Sequence, residues 1–85
     1  MTDRQLATEF ARRQIAEDRA DLLREIERVA DAARYIHTDA QAGRAAFSLA
    51  GNLARLNQYV TTALHHAARL QGVEETAAYL TSQEG

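Results

Sequence analysis

Leu22, Ile26, Val29, Ala33, Ile36 and Ala40 recur at alternating spacings of four and three residues, and Ile15 extends the series backwards through Arg19. Such alternation holds one stripe of a helix against one neighbour over several turns. A second series, Ala46, Leu49, Leu53, Leu56, Val60, Ala63, Ala67 and Leu70, keeps the same rhythm without a gap. Two long amphipathic helices follow, each with a seam. The seam expected to close the core and a dimer sets Leu49, Leu53, Leu56 and Val60 against Leu22, Ile26, Val29 and Ile36.

The punctuation fixes the ends of these helices. Thr2 followed three residues later by Gln5 has the spacing of a capping box, with Met1 and Leu6 at the flanking staple positions, so the first helix is expected from about residue 3. No breaker appears before His37-Thr38-Asp39, where Thr38 and Gln41 repeat the capping-box spacing, or Gly43, the first glycine. The turn is therefore expected within residues 37–44, closing a helix over about 3–37 and opening another over about 44–71. A turn this short makes the helices antiparallel, at the shallow crossing angle of coiled-coil packing. Gly72 reads as the C′ residue of the second helix, and VEETAAYLTS beyond it as a short third helix over about 73–82, its glutamates suited to the first turn. Residues from Ser82 onward are expected to fray. The fold class is thus all-α: one domain over residues 1–85, an antiparallel helical hairpin with a short third helix.

Two apolar features exceed what a lone hairpin needs. Leu6 and Phe10 stand roughly 140° to 160° around the helix from the stripe of Leu22, Ile26 and Val29. The second helix is apolar beyond its seam, with Phe47, Ala50, Ala54, Leu64 and Ala68 flanking it. A chain of this length buries only about 60–65% of its unfolded surface, so pairing of two hairpins into a dimeric four-helix bundle is expected, either with a second copy or with another helical protein.

Composition supports helix and removes several chemistries. Proline and cysteine are absent, which excludes disulfides, thiolate metal sites and thiol catalysis. No apolar run approaches the roughly 20 residues that span a bilayer, and the N-terminus has no signal-peptide pattern. No membrane association and a cytoplasmic location are expected, with export lacking a cleaved signal left open. All ten basic residues are arginine, a bias read as that of a high-GC bacterial or phage genome. The net charge of −2 gives no bulk attraction for nucleic acid. Residues 1–44 hold eight arginines and nine acids, whereas residues 45–73 hold Arg55, Arg69 and no acid.

His37, His65 and His66 lack the three- or four-residue spacings of helical metal ligands, and no nucleophile-and-base or paired-carboxylate arrangement emerges. Neither catalysis, nor a cofactor, nor a metal, nor a small-molecule substrate is expected. Ser48, Asn52, Arg55, Tyr59, Thr62, His66 and Arg69 form a polar stripe on the second helix, which keeps a small nucleic-acid-binding regulator as an alternative. The main expectation is a non-catalytic protein–protein interaction module of regulatory, adaptor or phage-inhibitor type. Its candidate partner-facing residues are Leu6, Phe10, Tyr35, Arg55 and Tyr59.

Chain length, two helices joined near the middle and a glycine at the turn resemble the WXG100 substrates of type VII secretion. That resemblance implies a dimeric hairpin exported without a cleaved signal. Where the family has Trp-x-Gly, this chain has Gln41-Ala42-Gly43; where the family's tail has Tyr-x-x-x-Asp/Glu, Tyr79 is followed by Gln83.

Overall fold

The computed structural model describes residues 2–84, with side chains through Ser82. It consists of two helices, α1 (Asp3–Gln41) and α2 (Ala46–Glu84), each of 39 residues and lying side by side in a rod of 61 × 15 × 15 Å.

α1 begins as its capping spacing predicts. The Gln5 N–H donates to Thr2 Oγ1 at 3.2 Å, and the Thr2 N–H donates to Gln5 Oε1 at 2.8 Å. Two otherwise unpaired donors of the first turn are thereby satisfied. The flanking contact expected of Met1 lies outside the described residues, as does Gly85.

Gly43 ends the helix. Its φ of 81° lies in the left-handed region that glycine enters without cost. The Gly43 N–H donates to the Ala40 carbonyl and the Arg44 N–H to the Asp39 carbonyl, at 3.1 and 3.0 Å. This is the Schellman pattern, in which two terminal carbonyls gain partners. α1 therefore runs four residues past the expected end at residue 37. The capping-box spacing at Thr38 opens nothing: its hydroxyl donates to the Arg34 carbonyl inside the helix. Ala45 then starts α2, its carbonyl accepting from the Ser48 and Leu49 N–H groups.

The expected third helix is corrected: residues 73–82 are the last turns of α2, which passes through Gly72 unbroken. Gly72 has no positive φ, and the Thr76 hydroxyl donates to its carbonyl as in any helix interior. A mid-helix glycine costs roughly 1 kcal/mol relative to alanine. Here the cost is offset because Leu70, Val73, Ala77 and Leu80 continue the seam across it, all buried or half-buried. The two helices thus match in length, and Ala11 and Ile15 near the start of α1 line one hollow with Ala77 and Thr81 of α2.

The seam that packs α1 on α2 is rotated from the most apolar stripe. On α1 it carries Thr8, Ala11, Ile15, Asp18, Leu22, Glu25, Val29, Ala32, Ile36 and Asp39, which are the buried or half-buried positions at alternating three- and four-residue steps. On α2 the corresponding positions are Leu49, Asn52, Leu56, Tyr59, Ala63, His66, Leu70, Val73, Ala77 and Leu80. Among the expected seam residues, Leu22, Val29, Ile36, Leu49 and Leu56 face the other helix. Ile26 and Leu53 do not: they are 48% and 51% exposed, and Val60 is only half-buried. Among the described residues, Arg19 with Glu74 at 3.2 Å and Arg69 with Asp18 at 3.6 Å form ion pairs across the helices toward the free ends.

Candidate interaction surfaces

Rotation of the seam divides the hairpin into two unlike faces. In an antiparallel pair, the residues just to one side of the seam on both helices share one face of the rod. On one side these positions are Ile26, Ala33 and Ala40 of α1 and Ala46, Leu53, Val60 and Ala67 of α2, with Leu23, Ala30, Ala50 and Leu64 beyond them. Leu22, Ile26, Val29, Val60, Ala63, Leu64 and Ala67 line a shallow groove of about 270 Å³ between the helices. Leu23 and Leu64 are 56% and 63% exposed, and Phe47, on the side of α2 turned away from α1 beside the turn, is 90% exposed.

The opposite face is polar and aromatic. Arg28, Tyr35 and Ile36 of α1 and Asn52, Arg55 and Tyr59 of α2 line a groove of about 530 Å³, with Asp31 and Ala32. Three of the five partner-facing candidates, Tyr35, Arg55 and Tyr59, therefore meet at one place although they come from two helices. The Arg28 and Asp31 charges are held within α1, Arg28 Nη1 lying 3.2 Å from Glu25 Oε1 and Asp31 Oδ1 lying 3.3 Å from Arg34 Nη1. Arg55 makes no ion pair among the described residues. Its guanidinium lines the same groove as the Tyr35 and Tyr59 side chains and has no hydrogen bond to a described residue, so its donors are able to take a carboxylate or a carbonyl and its plane to stack on a planar group.

Leu6 and Phe10 lie elsewhere. They share a shallow hollow with Ala7, Glu9 and Arg13, all on α1, and are 52% and 69% exposed. The matching length of α2 does not cover them, because they stand on the side of α1 turned away from it.

Asp18 is the one buried charged residue among those described, 3% exposed. Gln14 Nε2 donates to its Oδ1 at 2.9 Å and Arg69 approaches the same oxygen, while Oδ2 has no hydrogen-bond partner. The stripe of large apolar residues gave no signal for it. Reading the three-and-four spacing of Ala11, Ile15 and Leu22 through polar positions as well would have placed it on the seam. His66 is half-buried on that seam, whereas His65 and His37 are exposed. Among the described residues no group of three or more His, Cys, Asp or Glu side chains is placed to hold a metal ion, and no helix is long and apolar enough to cross a membrane.

No protein-family model, curated protein or solved structure matches the chain. The surfaces must be read from their own chemistry.

Proposed function

We propose that the protein is a non-catalytic helical interaction module, of regulatory, adaptor or inhibitor type, that self-associates through its apolar face and presents the opposite groove to a protein partner. The observation that carries this reading is the segregation of the two faces. Among the described residues of the lone hairpin only Ala11, Ile36 and Leu70 are buried apolar side chains, while Ile26, Leu53 and Leu64 remain exposed along one side. Pairing two such sides buries these residues and turns the seam and its apolar flank together into the centre of a four-helix bundle.

Self-association leaves Tyr35, Arg55 and Tyr59 outward. Aromatic and arginine side chains are the types that most often anchor protein interfaces, since they combine large contact area with directed donors. The buried carboxylate of Asp18 is occupied by Gln14 and Arg69, which suits a role in alignment of the helices. A cytoplasmic setting belongs to the same proposal.

The deciding experiment replaces Ile26 and Leu53 together by Ser and follows solution mass and helicity. The reading expects the wild type as a dimer and the variant as a monomer with lower thermal stability. A wild-type monomer at all concentrations would remove the self-association.

A further inference from the structure

The apolar face covers only half of the rod. From the turn back to Leu22 and Ala67, the positions flanking the seam on this side are apolar except for His37 and Asn57. Toward the free ends the same positions hold Glu9, Arg12, Ala16 and Arg19 on α1 and Gln71, Glu74, Ala78 and Thr81 on α2, so charged and polar residues displace the large apolar ones, and Arg19 and Glu74 form an ion pair there. The boundary falls at the same level on both helices, because residues equally far from the turn lie side by side.

We infer that the occupant of this face is a second copy of the chain, packed antiparallel so that only the two turn halves overlap and the charged free halves project beyond the partner at either end. The inference rests on the self-association proposed above and specifies its geometry. Exposure argues for a protein partner: Leu23, Ile26, Leu53 and Leu64 leave 56%, 48%, 51% and 63% of their surface open on one side of the rod, and with the alanines between them they form a continuous apolar strip of the kind that fills the centre of a standard interface.

Charge fixes the orientation. A parallel pairing along the whole rod would press Arg12, Arg19 and Glu74 of one copy against the same residues of the other, removing an ion pair from water at a desolvation cost that its attraction does not reliably repay. An antiparallel pairing about a two-fold axis through the middle of the apolar half leaves those charges in solvent. Apolar surface then meets apolar surface over its full length. The axis passes near Ala30, Ala33 and Asn57, and the two copies of Asn57 approach one another, where paired carboxamides can satisfy each other's donors and acceptors.

The absence of cysteine makes single-site labelling clean. Arg13→Cys on the exposed side of the free half and Arg44→Cys at the turn, each carrying a nitroxide, are measured by pulsed dipolar spectroscopy with the mass of each labelled sample taken by light scattering. At 1.5 Å per residue, the half-overlapped dimer places the labels about 55 Å apart at position 13 and about 35 Å apart at position 44. A dimer in which both distances fall below about 30 Å, the width of a bundle of helices spaced 8–10 Å apart with their labels, is the parallel arrangement and overturns the geometry while leaving self-association intact. Monomeric masses for the unlabelled and both labelled proteins overturn the geometry together with the reading beneath it.

Discussion

Asn52 turns toward the first helix and lines the groove between the two, while Leu53, the next residue, leaves half of its surface exposed on the other side of the rod. The same inversion occurs on α1, where the Glu25 side chain is largely covered and Ile26 is not. A hairpin that placed polar residues inward and apolar ones outward merely to satisfy itself would be poorly built. Both helices are rotated in the same sense, so their displaced apolar residues gather on one face.

Leu64 gives the simplest measure of this. On an isolated hairpin it is 63% exposed, and Leu64→Ala would change stability by no more than about 0.5 kcal/mol, as at most surface sites. Buried against a second copy, the same substitution costs about 2–4 kcal/mol per site. Denaturant unfolding followed by circular dichroism at fixed protein concentration is expected to show the larger loss, and dilution to deepen it.

Gly72, inside α2, and Gly43, just beyond the end of α1, should respond oppositely to substitution by alanine. No atom lies within 4 Å of a Cβ built at Gly72, so Gly72→Ala is expected to stabilise by about 1 kcal/mol in thermal or chemical unfolding. Gly43→Ala is expected to destabilise by about 1 kcal/mol, because alanine must hold a φ of 81° there. Destabilisation by Gly72→Ala would mean that the helix ends at that residue after all.

Asp18 tests how the helices are aligned. Arg69→Ala leaves a buried carboxylate with only Gln14 beside it and is expected to cost about 1–2 kcal/mol, reduced from the figure for fully buried pairs because Arg69 is itself exposed. Asp18→Leu removes the charge and its unpartnered oxygen, and is expected to be neutral or stabilising. Measured by unfolding, a large loss for Asp18→Leu would show that the carboxylate contributes net stability to the hairpin.

The partner groove is expected to tolerate truncation. Tyr35→Ala and Arg55→Ala remove exposed side chains from the face opposite the apolar one, so mass and melting temperature should stay near those of the wild type. A shift of the mass toward monomer would relocate the self-association to that groove.

Much of the fold was legible in the sequence. Thr2 and Gln5 gave the start of α1, Gly43 was among the candidates for its end, and the three-and-four rhythm gave two antiparallel helices. What misled was the weight given to apolarity. Leu53 and Ile26 marked the stripe that looked like the seam, yet Asn52, Glu25 and Asp18 occupy the seam of the hairpin, since these helices carry more apolar positions than one neighbour can use. Gly72 misled for a related reason: its local signal is that of a cap, and it was overridden by the continuing seam residues Val73, Ala77 and Leu80. Of the partner-facing candidates, Tyr35, Arg55 and Tyr59 converge, which no spacing within one helix could reveal because the groove is made by two.

The measurement closest to the central claim is the solution mass by size-exclusion chromatography with light scattering, from micromolar to near-millimolar protein, for the wild type and for Ile26→Ser with Leu53→Ser. A wild-type dimer that the paired substitutions convert to a monomer is the expected result. A wild type of 9.4 kDa throughout, with cooperative unfolding unaffected by the substitutions, would contradict it.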